Sequence, residues 1–421
     1  MSTESSTDVN TELPKYMQRK SLSIADTWNA YRVKIRSGDM GSLPAVIGLI
    51  ILVVLFSSLN PVFFTPLNFA NFFTQAAVVV ILAMGLIFVL LLGEIDLSAG
   101  VTSGVSGALL AVGLTRWGLT WPVAVAVSLL AGVAIGIFIG LLVAKVGIPS
   151  FVVTLALFLA FQGLILVIIG EGGNIRVTNE VILAIQNNNM PIWMGWVFYA
   201  IVVGGYFLFA YTGRMRRLAR GFSATSLSVI LIKTGVIAAV GFATVYALSL
   251  ERSTNPELNP LSGIPIIVPI IALLTLVFGF VLDRTSFGRH IYAVGGNVEA
   301  ARRAGINVSH IRIAVFTICS GTAAFAGIVF ASRAASVDPN AGKFIVLNAI
   351  AAAVIGGTSL FGGRGRIHDA LIGGAVVAVI DNGMGLLGYS AGVKLMITGA
   401  VLMLAAGADA LSRKRSSGVM R

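Results

Sequence analysis

The sequence predicts an all-α membrane protein, a bundle of about twelve transmembrane helices with both termini on the cytoplasmic side. Three observations lead to this fold class. Of the 421 residues, 57% are hydrophobic and 11% are charged, whereas soluble domains carry about 25% charged residues. Apolar runs long enough to cross a bilayer recur along the chain, and they lack the polar–apolar alternation of membrane β-strands. The basic residues lie in short clusters between these runs.

Twelve apolar runs are the predicted spans, and each is expected to be a helix because a helix satisfies its own backbone hydrogen bonds in lipid. They cover 43–60, 76–93, 97–115, 121–144, 149–170, 191–212, 228–250, 263–282, 312–332, 345–360, 369–388 and 393–411. A polar and basic cytoplasmic tail (1–42), disordered in part, precedes this membrane domain (43–411). A basic cytoplasmic C-terminus (412–421) follows it.

The positions of lysine and arginine predict the orientation. If the N-terminus is cytoplasmic and all twelve runs cross, the cytoplasmic segments hold 22 of the 29 basic residues and the opposite side holds 6. The remaining one, Lys233, lies inside the seventh span. Cytoplasmic loops of membrane proteins are enriched in lysine and arginine. The net charge of +12 is therefore a mark of membrane topology and does not indicate nucleic-acid binding.

No catalytic or metal site is predicted. Cys319 is the only cysteine, which excludes an intrachain disulfide. The three histidines lie near predicted cytoplasmic ends, apart from any cluster of metal ligands. The segment GGTSLFGG (356–363) lacks the GxxxxGK[ST] pattern of a phosphate-binding loop. The sequence therefore predicts no nucleotide site in this chain, and any ATPase that works with it must be another polypeptide.

Acidic residues in GEIDLSAG (93–100) stand between two apolar spans. A charge at the bilayer centre costs about 2.5–3.5 kcal/mol, so Glu94 and Asp96 must lie near an interface, in a water-filled cavity or against a partner. Two interpretations are open. The segment is either a tight cytoplasmic turn whose Asp96 caps the next helix, or a broken helix that faces a translocation path.

Polar side chains inside the spans are the other candidates for a translocation path. Gln162, Asn348 and Asn382 each either join helices or contact a transported solute. Asp381 and Lys233 are charged residues within apolar runs, and a charge pair between them is one interpretation. The candidate path residues are Glu94, Asp96, Gln162, Asn348 and Asn382.

The long basic loop 283–312 contains every end signal of a short helix over 298–304. An asparagine suits the N-cap, a glutamate lies in the first turn, two arginines lie in the last turn and a glycine suits the C′ position. These residues are Asn297, Glu299, Arg302, Arg303 and Gly305. A helix this short is unstable alone, so it must pack on a surface. A soluble partner and the lipid headgroups are the two alternatives.

Glycine patterns predict two further features. Gly132, Gly136 and Gly140 lie on one face of the fourth span, which favours close approach of another helix backbone. Segments 90–112 and 353–379 both consist of an apolar helix, a glycine-rich break and a helix of small residues. A duplicated transporter core explains this similarity, and so does coincidence in a chain rich in glycine and alanine.

With these motifs, the chain resembles the ribose/xylose-type permease family of bacterial ABC sugar importers over about residues 45–410. The strings that carry the resemblance are GEIDLSAG (93–100), FGRHIYAVGGNVEAARRAGINV (287–308), LNAIAAAVIGGTSLFGGRGRI (347–367) and DNGMGLLG (381–388). Glu94 and the GRMRR string with its added span (213–250) resemble xylose permeases, with a ten-span family core plus two spans. Permeases for several aldoses or for another pentose share these features.

The resemblance implies a transport subunit, not an enzyme, in the cell (inner) membrane, with D-xylose as the first candidate monosaccharide. It implies a second permease copy, an extracytoplasmic sugar-binding protein and a tandem-domain ATPase that holds ATP and Mg²⁺, with no cofactor on this chain. GGNVEAARRAGI looks like the family's coupling segment. The residues of that segment are Gly295, Gly296, Asn297, Glu299, Ala300, Arg302, Arg303 and Gly305. An ion-coupled secondary transporter, with Asp381 and Glu94 in a relay, and a channel or structural subunit are the alternatives from other classes.

Overall fold

The computed structural model describes residues 29, 32–33, 41–170, 173–340 and 342–418. Most of the predicted N-terminal tail lies outside the described residues. Among those described, the helices are α1 (Leu43–Leu59), α2 (Pro66–Leu91), α3 (Ala99–Thr115), α4 (Trp121–Leu141), α5 (Ser150–Ile169), α6 (Glu180–Asn187), α7 (Ile192–Ala219), α8 (Leu227–Ser249), α9 (Ile267–Arg284), α10 (Ser286–Gly296), α11 (Val298–Arg303), α12 (Val308–Ala334), α13 (Ile345–Gly356), α14 (Ile367–Leu386) and α15 (Ala391–Gly418). Two short strands, β1 (Ile175–Arg176) and β2 (Ser336–Val337), pair antiparallel.

Each of the twelve predicted apolar runs coincides with one of these helices, so the helical fold is confirmed. Eight helical segments of the described chain are long and apolar enough to cross a membrane. They are α2, Trp121–Val146, α5, α7, α8, α9, α12 and α14. Four shorter apolar helices are α1, α3, α13 and the segment Ala391–Leu404. The number of crossings remains a prediction.

The chain divides into two compact units. The smaller one contains Trp193–Tyr246, the greater part of the α7–α8 hairpin. Within it, the Tyr199 hydroxyl donates to the Ala238 carbonyl at 3.0 Å, and the rings of Trp196 and Phe242 lie 5.3 Å apart. Most of its other side chains are exposed, which suits two helices that face lipid.

The larger unit comprises Met40–Ile192 and Ala247–Arg421, and α2 is its central helix. Every residue from Ile81 to Leu91 is buried, because α9, α12, α13 and α14 all pack against α2. A helix that is apolar on all sides belongs in such a position.

The glycine face of α4 packs on α12, as the spacing predicts. A Cβ atom at Gly136 would lie 2.6 Å from the Phe316 carbonyl oxygen, and one at Gly140 would lie 2.6 Å from the Ile313 Cα. At Gly132 it would lie 2.8 Å from the Ser320 carbonyl oxygen. Only glycine lets the two backbones approach this closely.

The two similar segments both fold as helix, break and helix. The first is α2, the break 92–98 and α3; the second is α13, the break 357–366 and α14. The two breaks lie against each other, since the Gly363 amide donates to the Leu91 carbonyl at 2.9 Å. Duplication and coincidence both remain open as the origin of this similarity.

Candidate functional site

Three segments that the sequence marks separately meet at the C-terminal end of α2. The Leu91 carbonyl accepts the hydrogen bond from Gly363, and Gly295 at the end of α10 lies against the same oxygen. A Cβ atom at Gly295 would overlap the Leu91 oxygen and lie 2.9 Å from the Gly363 nitrogen. A Cβ atom at Gly93, where φ is +74°, would lie 3.3 Å from the Phe361 carbonyl oxygen. We call this contact of Leu91, Gly93, Gly295 and Gly362–Gly363 the glycine junction.

Helix α11 forms next to this junction, where the capping signals place it. The Asn297 Oδ1 accepts a hydrogen bond from the Ala300 amide at 2.9 Å, and Gly305 has a φ of +81°. The predicted helix 298–304 is therefore confirmed as Val298–Arg303. Ala301 is buried and holds the helix on the bundle, while Glu299 and Arg302 form an exposed ion pair of 2.6 Å.

The outward face of α11 is a small charged surface. Its exposed residues are Glu299, Ala300, Arg302 and Arg303. The opposite side of α11 faces the core, since Ala301 is buried, and Ile291 and Val294 of the preceding helix α10 are buried as well. Helix α10, which ends at the glycine junction, lies between this surface and α2 in the chain.

A tyrosine ties α10 to the second glycine-rich break. The Tyr292 hydroxyl donates to the Gly365 carbonyl at 2.8 Å. Burial, with Asp283 nearby, raises the pKa of Tyr292 to about 12, so the hydroxyl keeps its proton and remains a donor at physiological pH. In the first turn of α14, Asp369 Oδ2 accepts hydrogen bonds from two residues of the break, the Thr358 hydroxyl at 2.9 Å and the Arg366 amide at 2.8 Å.

The first acidic residue of GEIDLSAG forms an ion pair across the bundle. Glu94 Oε1 lies 2.9 Å from a guanidinium nitrogen of Arg312, in the first turns of α12. Both side chains are largely buried, with 16% and 28% of their areas exposed. Arg312 is a functional candidate that sequence reasoning missed, since no local pattern connects residues 218 positions apart.

The second acidic residue, Asp96, is completely buried. Its Oδ1 accepts hydrogen bonds from the Ser98 amide at 2.9 Å and the Ser98 hydroxyl at 2.6 Å. The N-cap of α3 is Ser98, without a side-chain capping bond. Asp96 therefore stabilises the turn that leads into α3, and its role in a path remains a prediction.

At the N-terminal end of α2, amide side chains join two helices. Asn68 and Asn382 exchange hydrogen bonds of 2.9 and 2.8 Å, and the Asn382 amide also donates to Gln75 Oε1 at 3.2 Å. These groups border a cavity of about 630 Å³, which Asn71 also lines. We call it the amide cavity.

Three charged side chains line the same cavity, namely Arg333, Asp381 and Lys394. The Arg333 guanidinium donates to the Gln75 carbonyl at 3.3 Å. Asp381 thus has Arg333 and Lys394 as charged neighbours in the larger unit. Lys233, the partner considered from the sequence, lies in the smaller unit.

The amides of α2 were missed because the predicted second span begins at residue 76, whereas α2 begins at Pro66. Asn68, Asn71 and Gln75 fall in that missing stretch. Their spacing of three and four residues, which places them on one face of a helix, was the available signal.

The five candidate path residues do not form one site. Glu94 and Asp96 follow the C-terminal end of α2, and Asn382 lies near its N-terminal end; the 26 residues of α2 separate these ends by about 39 Å. Gln162 in α5 and Asn348 in α13 are half-buried. Neither amide side chain has a hydrogen bond within the described part of the chain. Within that part, no cluster of His, Cys, Asp and Glu could hold a metal ion.

Most of this chain is similar to known membrane permeases. Residues 68–406 match the family described as branched-chain amino acid transport system / permease component. The xylose transport system permease protein XylH of Escherichia coli K12 is 36% identical over 349 residues, 83% of this chain and 86% of that protein. XylH of Haemophilus influenzae is 32% identical over 383 residues, 91% of this chain and 99% of that protein.

A ribose permease matches almost as well. The ribose import permease protein RbsC of Escherichia coli K12 is 33% identical over 363 residues, 86% of this chain and 91% of that protein. The chain belongs to the ribose/xylose-type ABC permease family. No solved structure gives a significant match.

Membership in this family makes the chain a transport permease of the inner membrane rather than an enzyme. Permeases of ABC importers work in general with an ATPase and a substrate-binding protein. The family match does not assign a role to the capped helix α11 or to the glycine junction.

Proposed function

We propose that this permease imports a monosaccharide, D-xylose first among the candidates, and that α11 receives the force of the ATPase. The observation that carries the proposal is the exposed, charged α11 seated beside the glycine junction at the end of the central helix α2. A permease for several aldoses or for another pentose is the alternative within the class.

The proposed mechanism involves no bond chemistry in this chain. ATP binding closes the partner ATPase, which moves α11 and α10 together as a lever. Gly295 transfers this movement to the Leu91 carbonyl and Gly363 transfers it to the second break, because no side chain separates the three backbones. The bundle then shifts between outward-open and inward-open states, which differ in their affinity for the ATPase.

The choice of sugar rests on the relatives. Two relatives that match over most of their length are named as xylose permeases, at 36% and 32% identity. A ribose permease follows at 33%. Glu94 adds to the case for xylose through its position in the GEIDLSAG string. We infer D-xylose, with ribose as the sugar to test beside it.

The proposed assembly contains two copies of the permease, a tandem-domain ATPase with ATP and Mg²⁺, and an extracytoplasmic sugar-binding protein. Ala301 already seats α11 on protein and leaves its charged face exposed, so the proposal takes the ATPase, and not lipid, as the partner that contacts this face. An ion-coupled relay through Glu94 and Asp381 has less support. Glu94 is paired with Arg312 and the two carboxylates flank opposite ends of α2.

The test is accumulation of labelled xylose in cells that lack this gene and in cells with the gene restored. Ribose, arabinose and glucose serve as competitors. Restored xylose uptake that the other sugars compete with weakly is the expected result. If uptake of a different sugar is lost and restored instead, that sugar is the substrate. If uptake of every sugar is unchanged, the proposed function is refuted.

A further inference from the structure

We propose that the amide cavity is a low-affinity reception site for a monosaccharide within the permease itself. The proposal rests on the proposed sugar import and adds a binding site to it. The cavity is an open cleft of about 630 Å³, and small-molecule sites occupy about 300–1,000 Å³.

The floor of the cavity is held in place by amides that bond to each other. Asn68 donates to the Phe63 carbonyl at 2.8 Å and to Asn382, and Asn382 donates to Asn68 and Gln75. These bonds use both N–H groups of Asn68 and both of Asn382, and each amide oxygen accepts one of them. The two residues therefore form a rigid base that fixes the position of their neighbours.

Two further amides on the lining have hydrogen-bonding groups that are free to bind a ligand. Asn71 is exposed, and its side chain has no partner among the described residues. Gln75 accepts one bond at Oε1, and its NH₂ group has no acceptor within the same described set. Sugar hydroxyls donate and accept hydrogen bonds, and an amide offers both functions.

A carboxylate completes this set. Asp381 borders the amide cavity and also an adjoining pocket of about 90 Å³, and within the described chain it has neither a hydrogen bond nor an ion pair. Ionised acceptors form shorter and stronger bonds to hydroxyl groups than neutral acceptors do. The Phe344 ring, also on the lining, offers an apolar surface to the CH face of a sugar.

The cavity is coupled to the proposed lever by α2. Asn68, Asn71 and Gln75 lie in the first turns of the helix whose last residue, Leu91, belongs to the glycine junction. In the predicted N-in orientation, the cavity opens on the outer side, where a binding protein releases its sugar. A weak site there suits reception followed by onward passage.

The test uses protection of an introduced cysteine. Cys319 is the only cysteine of the chain and it is buried, so the natural protein supplies a low background. Asn71→Cys places a thiol on the cavity lining, and Ala391→Cys, on another lining helix, is the second variant. Thr254→Cys, exposed in the loop between α8 and α9, is the matched control.

Right-side-out membrane vesicles with the full chain and its ATPase, without ATP or binding protein, are labelled with a thiol reagent that does not cross membranes. The labelling rate is measured with and without 50 mM D-xylose. For a site with a Kd of about 5 mM, mass action predicts that the rate falls about tenfold in the Asn71→Cys and Ala391→Cys variants and stays constant in the Thr254→Cys control.

A second substitution tests the carboxylate. Adding Asp381→Asn raises the half-protecting sugar concentration about tenfold, whereas Glu257→Gln, the same change at an exposed carboxylate, leaves it unchanged.

Leucine at 50 mM is the second ligand, because the matched family is described by branched-chain amino acid transport. Protection by leucine without protection by any sugar would overturn the proposal, and so would a lack of outside labelling at both cavity positions. If the variants still import sugar but sugar does not slow their labelling, the cavity is not a sugar site, and the proposed import function is unaffected. Absence of sugar import by the natural chain instead removes the proposed function.

Discussion

At the residue scale, Gly295 is a position where the structure leaves no room for a side chain. The Leu91 oxygen lies where a Cβ atom would stand, while Gly296, the next residue, has open space around it. The two glycines are adjacent in α10 and therefore form a matched pair for mutation.

We expect Gly295→Ala to separate α10 from α2 and to lower sugar uptake at least tenfold, with a stability loss of about 1–3 kcal/mol from overpacking. Gly296→Ala is the control and should keep both uptake and stability. Uptake in cells and thermal unfolding of the purified permease measure the two effects. Equal behaviour of the two variants would contradict the glycine junction as a point of force transfer.

The ion pair of Glu94 and Arg312 is the second feature at this scale. Both side chains are largely buried, and loss of one partner leaves a charge in a poorly solvated place. The break after α2 therefore depends on the first turns of α12.

Glu94→Arg and Arg312→Glu are each expected to destabilise the permease, and the double exchange is expected to recover part of the loss. A coupling free energy of about 0.5–3 kcal/mol is the expected range for residues in contact. Thermal unfolding of the four proteins gives this value directly. If the stability loss of the double variant equals the sum of the losses of the two single variants, the ion pair does not stabilise the break.

At the element scale, α11 is a helix of six residues that carries two exposed arginines in its last turn. The ATPase-docking role predicts that Arg302→Glu with Arg303→Glu abolishes uptake and co-purification of the ATPase, while the permease still inserts in the membrane. The reason is that reversal of two charges opposes an acidic docking surface.

The control has the same charge change elsewhere. Arg216→Glu with Arg217→Glu alters two exposed arginines in the last turn of α7, and it should leave ATPase co-purification intact. Full uptake by the Arg302 and Arg303 variant would refute docking at α11. Loss of co-purification in both variants would point to overall charge instead.

Sequence reasoning succeeded where local chemistry decides the structure and failed where distant contacts do. The caps of α11, from Asn297 to Gly305, were predictable because each signal acts within one turn. The start of α2 was placed ten residues too late, because Asn68, Asn71 and Gln75 lower the hydropathy of its first turns. Two of those amides, Asn68 and Gln75, are joined to the bundle by Asn382, which is 314 residues from Asn68 along the chain.

The glycine junction belongs to the same class of contact. Gly93, Gly295 and Gly363 could each be recognised in a motif, but no pattern within one motif indicates that it touches another. The charge of Glu94 between two apolar spans marks it as unusual in the sequence. Its partner Arg312 is evident only from the fold, in which the first turns of α12 lie beside the first break.

At the scale of the whole molecule, the arrangement of charge along the chain predicts one orientation. The cytoplasmic segments hold 22 basic residues and the other side holds 6 when all twelve runs cross. Helix α13, with 12 residues, reaches only about 18 Å, less than the hydrocarbon core of about 30 Å. It must therefore cross together with the break that follows it, or cover half of the membrane.

Reporter fusions test this orientation. Green fluorescent protein joined after Gly418 should fluoresce, because it folds in the cytoplasm, and alkaline phosphatase inserted after Thr254 should be active, because it requires the outer side. Alkaline phosphatase joined after Gly418 is the control and should be inactive. The reverse pattern would invert the predicted topology and place the amide cavity on the cytoplasmic side.

The glycine junction also has a consequence for the mutations that the permease can accept. Its contacts are between main-chain atoms, so charge, polarity and hydrogen-bonding type at Gly295 are irrelevant to it, and volume alone matters. In a library of every substitution at this position, alanine and serine should fail along with tryptophan and lysine, as a step rather than a graded series. Adaptation to a new sugar or a new membrane must therefore proceed at other positions, with this point of the fold left as it is.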